Sequence, residues 1–255
     1  ALEVINSVCT EAEAPLILAG RDISWQRGAA SALGVQGQSF TIKGSLGEYA
    51  LWMPLLGRHQ VENAATALAA LEVLVQQGYN ITREAIAEGF RTVAWPGRFQ
   101  VIAHAPPVVA DGAHNGASAR RLKEALTELF PGHSVLFIVG ISADKDLAAI
   151  ARELAPLAAE VIASQSHSPR AATPRDIAAA FTPLLPAQAE IETAPDVRTA
   201  LRLAYQKVRP NQVICVTGSL FVVADALDAM DDPNLRAALS DSSQSRRPST
   251  SNEVI

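Results

Sequence analysis

The second half of the chain alternates short apolar runs with amphipathic stretches of helical period. Strands are predicted at residues 107–110, 134–140, 160–165 and 212–218. Helices are predicted at residues 117–130, 147–158, 174–181, 195–208 and 220–230. Short apolar strands that alternate with helices are typical of a mostly parallel sheet covered by helices on both faces. The expected fold class is therefore α/β, a doubly wound, Rossmann-like module.

The first half of the chain follows a different pattern. Residues 1–12 have a helical period, and the apolar run at residues 14–20 predicts a short buried strand, so the two would form part of a βαβ unit. Alternating positions between residues 34 and 52 predict two strands joined through Gly44 and Gly47, as in a hairpin. We therefore expect the end of one α/β domain to precede the doubly wound module.

Two amphipathic helices are predicted next, at residues 59–79 and 82–93, with Thr82 as the N-cap of the second. The sequence Trp-Pro-Gly-Arg then breaks the helical pattern, which predicts a domain boundary at residues 94–98.

The expected organisation has three parts. Residues 1–94 are one domain, and residues 95–237 are the doubly wound domain. Residues 238–255 are polar, serine-rich and without periodicity, so this tail is expected to be disordered.

Composition narrows the range of partners. The 255 residues are 49% hydrophobic and 18% charged with a net charge of -5, and the basic residues are scattered, which argues against a nucleic-acid surface and favours small-molecule partners. No run of about eighteen apolar residues occurs, so no membrane partner is expected. Cys9 and Cys215 lie far apart in apolar contexts, which gives no support to a disulfide or zinc site and favours a reducing, cytoplasmic location.

Polar residues with catalytic potential follow the predicted strand at residues 107–110. Asp111, His114 and Asn115 lie between that strand and the next helix, where backbone N–H groups point at an anion. A phosphorylated or carboxylated ligand is therefore expected. The alternative is that Asp111 only caps the helix and that His114 is a surface imidazole.

Two further positions carry polar groups suited to a ligand. Arg98 follows a Pro-Gly turn, where its guanidinium could reach a phosphate, although an exposed salt bridge is the alternative. Gln60 and Asn63 are three residues apart on a predicted helix and share a face, so both could address one ligand; simple N-terminal capping is the alternative.

Five motifs relate the chain to a known family. They are GRHQVENAATALAAL at residues 57–71, WPGRFQ at 95–100, ADGAHN at 110–115, GISADKD at 140–146 and VTGSL at 216–220. In order and spacing they resemble folylpolyglutamate synthase and dihydrofolate synthase, members of the Mur ligase superfamily. The resemblance extends from about residue 1 to residue 230.

The resemblance implies an ATP-dependent amide ligase that adds L-glutamate to a folate or dihydropteroate. ATP phosphorylates the acceptor carboxylate, and the glutamate amine attacks the acyl phosphate. By motif, Asn63, Arg98 and Asp111 match the family's ATP contacts, with Arg98 also in a catalytic role. In physical terms, an arginine fork neutralises charge on a transferring phosphoryl group, and a carboxylate can accept ribose hydroxyls.

The resemblance also implies a glutamate site. His114 lies where acyl phosphate and glutamate meet and is assigned a catalytic role, while Lys145 and Ser219 match positions that touch the amino acid. Each follows a predicted strand end and would face the same crevice as Asp111. For Lys145, flanked by two aspartates, a solvated charge at a helix start is an equal alternative.

The chain departs from the family at the phosphate site. It contains no G-x-x-x-x-G-K-[ST] motif, and no magnesium ligands are assigned to it, so the phosphate loop and the Mg²⁺ ligands are expected in an upstream part. We expect a monomer with negligible ligase activity on its own. Two alternatives stay open: a cell-wall amino-acid ligase of the same superfamily, and a non-catalytic nucleotide- or partner-binding remnant.

Overall fold

A computed structural model describes residues 2–28 and 37–235. The chain divides into two compact units, residues 1–94 and residues 95–255, which are described separately below. The tail for which disorder is expected, residues 238–255, lies outside the described residues.

In its described residues, the N-terminal unit combines three helices with a small antiparallel sheet. Its elements are α1 (Leu2–Glu11), β1 (Ser24–Arg27), β2 (Gln38–Gly44), β3 (Gly47–Met53), α2 (Arg58–Gln76) and α3 (Arg83–Thr92), and the strand order is β1-β2-β3. The predicted hairpin is confirmed, since Gly44 pairs with Gly47 at its turn. The two predicted helices are confirmed as well, and the Thr82 hydroxyl accepts a hydrogen bond from the backbone N–H of Ala85 at 3.2 Å.

Alternation along β2 and β3 builds the core of this unit. Phe40 and Ile42 of β2 and Leu51 of β3 are buried, while the residues between them are more exposed. Their side chains pack with Ala65 and Leu68 of α2 in one apolar cluster. A small alanine side chain lets a helix approach a sheet closely, which accounts for the alanine-rich pattern of α2.

The buried strand predicted at residues 14–20 is wrong. Within the described residues, this segment pairs with no strand and forms only an isolated bridge between Ala19 and Ile23. Ile17 is 42% exposed, and the Leu18 N–H donates to the Asp22 carboxylate at 2.8 Å, which favours a turn. A strand needs a hydrogen-bonding partner, and apolar composition alone does not supply one. The expected βαβ arrangement therefore fails here.

The C-terminal unit is a six-stranded α/β module. Its elements are β4 (Gln100–His104), β5 (Pro107–Asp111), α4 (Gly116–Leu129), β6 (Ser134–Val139), α5 (Leu147–Leu154), β7 (Ala158–Ala163), α6 (Pro174–Phe181), β8 (Glu190–Thr193), α7 (Val197–Lys207), β9 (Gln212–Thr217) and α8 (Leu220–Asp231). The strand order is β4-β5-β9-β6-β7-β8. Only β4 runs antiparallel to its neighbour, which confirms the doubly wound, mostly parallel sheet.

Helices cover both faces of this sheet. Side chains from Leu136, Ile138 and Val216 form a buried cluster with α7 and α8 on one face. Helices α4, α5 and α6 pack in a row, as expected for right-handed crossovers on the opposite face. The central strands are buried from both sides, which is why they appear in the sequence as unbroken apolar runs.

Sequence patterns missed the two edge strands, β4 and β8. Both are short, and their residues are half-buried or exposed. An edge strand packs on fewer neighbours than a central one, so its sequence lacks the apolar run on which the other predictions depend.

Candidate active site

The order of the strands creates a crevice at one edge of the C-terminal sheet. Strand β5 leads through α4 to β6, whereas β9 inserts between them and leads into α8 on the other face. Such a switch point opens a crevice at the carboxyl ends of parallel strands, where ligands of this fold class bind.

A cavity of about 200 Å³ lies at this position, which we call the carboxyl-edge cavity. The structure brings together three predicted site residues in its lining: His114, Lys145 and Ser219. Sequence analysis did not single out the other lining residues, which are Ser142, Asp144, Arg170, Leu220 and Phe221. Segments that follow four strands, β5, β6, β7 and β9, thus contribute to one site.

Hydrogen bonds at the start of α4 orient His114. Asn115 is the N-cap, accepting from Ser118 N–H at 2.8 Å, and the Ser118 hydroxyl accepts from the backbone N–H of His114 at 3.0 Å. The ring Nδ1 lies 2.9 Å from the Gly112 carbonyl, which can only accept, so Nδ1 carries a proton. In the neutral form of the ring, Nε2 then keeps its lone pair for a ligand. Because Asn115 is the cap, the alternative that Asp111 caps this helix is wrong.

Asp111 is a buried carboxylate that ties two segments together. It is 7% exposed and accepts from the backbone N–H groups of Phe99 and Ala113, both at 2.9 Å. Burial raises its pKa above the usual value, and these N–H groups, together with the nearby charge of Arg98, offset the rise only in part.

The bond from Phe99 fixes the loop that carries Arg98. Phe99 has a left-handed φ of 43°, which is unfavourable for a side chain of its size and is held here by the surrounding contacts. The Gly112 N–H also donates to the Gly97 carbonyl at 2.9 Å. Arg98 is thereby held near the end of β5, half-buried and close enough for its charge to act on Asp111.

Lys145 lies just before the N-cap of α5, with its ammonium 2.9 Å from the Asp144 carboxylate. That hydrogen bond lowers the pKa of Asp144. The side chain of Lys145 is 38% exposed, so it is partly solvated and also lines the cavity. Asp146, its other neighbour, caps α5 by accepting from Ala149 N–H at 2.9 Å.

Arg170 enters the site from the loop after β7. Backbone hydrogen bonds join this loop to the one after β6, from Ala143 N–H to the Arg170 carbonyl at 2.7 Å and from Ala172 N–H to the Ile141 carbonyl at 2.8 Å. The guanidinium carbon lies 5.8 Å from the centre of the Phe221 ring, within cation–π range. A second cation therefore lines the cavity beside Lys145.

Ser219 is the N-cap of α8 and is 5% exposed. Its hydroxyl oxygen accepts from Val222 N–H at 3.2 Å, which leaves the hydroxyl proton for a ligand. The preceding Gly218 has φ +111° and packs against Gly140, whose N–H donates to the Thr217 carbonyl at 3.0 Å. The N-termini of α4 and α8 and the two cations all favour an anionic ligand.

Asn63 belongs to the N-terminal unit and is described with that unit alone. Its amide donates to the Gln60 side chain at 3.2 Å, so the two residues do share a helix face. The N-cap of α2 is Gly57, without a side-chain cap bond, so the capping alternative for Gln60 and Asn63 is wrong. The assignment of Asn63 to an ATP site together with Arg98 and Asp111 stays a prediction.

The described part of the chain was also compared with the expectations for metal ligands, membrane-spanning helices and cysteines. Across residues 2–28 and 37–235, no group of three His, Cys, Asp or Glu side chains is arranged to hold a metal ion. No helix in those ranges has the length and apolarity needed to cross a membrane. Cys9 is half-buried and Cys215 is buried, and both are free thiols.

Comparison with known proteins finds a family model and several named relatives that match this chain. The family model described as Mur ligase, glutamate ligase domain, matches residues 97–220. A probable bifunctional folylpolyglutamate synthase/dihydropteroate synthase of Halobacterium salinarum is 36% identical over 174 residues, which are 68% of this chain and 20% of the relative. The dihydrofolate synthase/folylpolyglutamate synthase of Mycobacterium tuberculosis is 32% identical over 179 residues, which are 68% of this chain and 36% of the relative.

Solved structures extend the similarity over most of the chain. Mycobacterium tuberculosis folylpolyglutamate synthase complexed with ADP has a TM-score of 0.81 and 28% identity, and the match covers 91% of this chain and 52% of that one. Escherichia coli FolC in complex with DHPP and ADP has a TM-score of 0.76 and 25% identity, with coverage of 90% and 50%. The chain thus spans about half of these solved chains, and the matches to the two curated relatives cover less than half of each.

Proposed function

We propose that this chain, residues 97–220 of which match the family described as Mur ligase, glutamate ligase domain, is the glutamate-binding part of an ATP-dependent ligase that joins L-glutamate to folate or dihydropteroate. The observation that carries the proposal is the carboxyl-edge cavity, where Lys145, Arg170 and His114 converge between two helix N-termini.

The charges in this cavity complement those of glutamate. Free glutamate has two carboxylates, and the cavity offers Arg170, the Ser219 hydroxyl and Lys145, whose one carboxylate partner is the exposed Asp144. The guanidinium of Arg170 can form a bidentate pair with a carboxylate, which fixes orientation as well as position. Asp144 sits on the same wall and can attract the ammonium group of the amino acid.

His114 is suited to proton transfer in the proposed reaction. Amide formation from an acyl phosphate requires the attacking nitrogen to lose protons, and the Nε2 lone pair of His114 can accept one. The hydrogen bond from Nδ1 to the Gly112 carbonyl holds this tautomer.

The ATP part of the proposal depends on Arg98, Asp111 and Asn63. ATP supplies the phosphoryl group that activates the acceptor carboxylate, and the Arg98 guanidinium would neutralise charge on that group. Each oxygen of Asp111 already accepts one backbone N–H and keeps further lone pairs, so it fits a hydroxyl donor. We assign no step to Mg²⁺ on the described residues. The proposal also includes that the protein is a monomer in the reducing cytoplasm.

Glutamate binding to this chain is the first test. Isothermal titration should show binding of L-glutamate that weakens at least about tenfold in Arg170→Gln and in Lys145→Gln, because each substitution removes a charge-assisted pair. Arg175→Gln is the matched control, since Arg175 is exposed on α6 and does not line the cavity. Equal binding by all four proteins would contradict the assignment.

Turnover separates the proposed enzyme from its alternatives. The chain alone is expected to show negligible glutamate-dependent ATP hydrolysis. The N-terminal half of the Mycobacterium tuberculosis relative, where the family resemblance places the phosphate loop, is expected to restore it with a folate or dihydropteroate acceptor. Turnover only with a peptidoglycan precursor would indicate a cell-wall ligase. Glutamate binding without turnover on any acceptor would indicate a non-catalytic remnant.

A further inference from the structure

A second cavity lies at the opposite, amino edge of the C-terminal sheet. Its volume is about 360 Å³, and it is bounded by the first residues of three parallel strands, Ser134 of β6, Ala158 of β7 and Gln212 of β9. Strand β6 has six residues and therefore spans about 20 Å, so this amino-edge cavity is well separated from the carboxyl-edge cavity.

Two turns that contain proline give the amino-edge cavity fixed walls. In one turn, the Gln212 side chain accepts from Arg209 N–H at 2.8 Å, and the Gln212 N–H donates to the Arg209 carbonyl at 3.2 Å. The Ser134 N–H donates to the Asn211 carbonyl at 3.1 Å and ties this turn to β6. In the other turn, the Ala189 N–H donates to the Pro186 carbonyl at 2.9 Å. Walls held in this way lose little freedom when a ligand binds.

The polar residues that line this cavity are Arg209, Gln188, Gln212 and Ser134, and no Asp or Glu is among the lining residues. Arginine can only donate, and the Gln212 carbonyl oxygen is already used by the Arg209 N–H, which leaves the Gln212 side-chain N–H groups as donors. Prolines and alanines make up the rest of the lining. The chemistry is that of a site for an oxyanion on a small, partly apolar body.

The cations near this cavity differ in their partners. The ammonium of Lys207 lies 2.6 Å from Glu160 and 2.9 Å from Glu192, so its charge is already compensated. Within the part of the chain that the structure describes, Arg209 is an exposed residue without an ion pair, so its guanidinium is accessible to a ligand. An arginine without a carboxylate partner is well suited to bind a carboxylate or phosphate group of a ligand.

We infer that the amino-edge cavity binds a small molecule with a terminal oxyanion, a carboxylate or a phosphate, through Arg209. The inference does not depend on the ligase proposal, because the two cavities lie at opposite edges of the sheet and share no lining residue.

The test is a two-dimensional NMR titration of the isotope-labelled chain with three probes: glutarate, its neutral analogue glutaramide, and inorganic phosphate. Glutarate or phosphate is expected to shift the amide signals of Ser134, Ala158 and Ala159, while glutaramide leaves them in place. A response to glutarate alone assigns a carboxylate ligand, and a response to phosphate alone assigns a phosphate ligand.

Two substitutions connect the response to Arg209. Arg209→Gln should weaken binding at least about tenfold, because the charge-assisted pair is lost. Arg202→Gln removes the same charge from an exposed position on α7 and should bind like the unsubstituted chain. The inference is overturned if neither anion shifts the three amides at millimolar concentration, if glutaramide binds as well as glutarate, or if both variants respond alike.

Discussion

Replacing Gly218 with alanine tests the close approach of two loops at the carboxyl-edge cavity. Gly218 precedes the helix cap Ser219 and has φ +111°, a region that L side chains rarely adopt. A Cβ at this position would lie 2.5 Å from the Gly140 carbonyl oxygen and 2.9 Å from the Gly140 carbonyl carbon. Ordinary Cβ contacts begin at 3.4 Å, and the obstacle is backbone, so the loop must move.

The expected cost has two parts. A side chain at a left-handed φ costs about 1–2 kcal/mol. Forcing the backbone of two packed loops apart adds about 1–3 kcal/mol, the typical cost of overpacking. Gly218→Ala should therefore destabilise the C-terminal unit by about 2–5 kcal/mol. It should also weaken glutamate binding, because Ser219 and the start of α8 are displaced from the cavity.

Gly132 supplies the matched control. It also has a positive φ, +77°, but a Cβ built on it meets nothing within 4 Å. Gly132→Ala should therefore show only the conformational cost of about 1–2 kcal/mol and leave glutamate binding unchanged. Urea denaturation followed on the amide signals of β6 and β9 measures both free energies of unfolding. If the two variants lose the same stability, the contact between the Gly140 and Gly218 loops is not as tight as the structure places it.

Three further predictions concern other parts of the chain. Glu72→Ala should destabilise the N-terminal unit by about 1–3 kcal/mol in urea denaturation. The buried Glu72 carboxylate accepts hydrogen bonds from the Ser45 N–H, the Ser45 hydroxyl and the Leu46 N–H at 2.8–3.0 Å, and all three are lost in the variant. An unchanged unfolding midpoint would show that water fully replaces the carboxylate. A thiol reagent should modify Cys9 in the folded chain and Cys215 only after unfolding, since Cys215 is fully buried and burial raises its pKa well above the ordinary value; equal labelling rates would contradict this. The Arg21 side chain and the Leu18 N–H lower the pKa of Asp22 to about 2. The ionised Asp22 carboxylate therefore stabilises the fold above pH 3.8, and this stabilisation is lost as the pH falls towards 2. Carboxyl NMR should show the lowered pKa of Asp22, and Arg21→Gln should raise that pKa.

The fold of the C-terminal unit could be predicted because burial leaves a clear pattern. Strands β6 and β9 are covered on both faces, and their sequences are almost entirely apolar. The segment at residues 14–20 is equally apolar, yet within the described residues it is neither buried nor paired along a strand. The difference lies in tertiary context. A local apolar pattern indicates that a segment can be buried, but it does not indicate whether a strand is available to pair with it.

The site could be predicted where topology alone determines position. His114, Lys145 and Ser219 each follow the end of a parallel strand, and such ends meet at one edge of a sheet, so their convergence follows from the strand pattern. Arg170 lies seven positions after the end of β7 at Ala163. Backbone bonds between its loop and the loop after β6 hold it beside the cavity, and no local pattern encodes those bonds.

The two cavities differ in whether their ligand preference can be inferred from sequence. A carboxyl edge collects loops that lead into helix N-termini, so its preference for anions can be inferred from sequence. At the amino edge, Arg209 becomes a candidate ligand only because Gln212 holds its backbone and because Lys207, two residues earlier, occupies the nearby carboxylates of Glu160 and Glu192. Lys207→Gln would leave Glu160 and Glu192 without their cation, and the added negative charge should weaken glutarate binding, which NMR titration of that variant can measure.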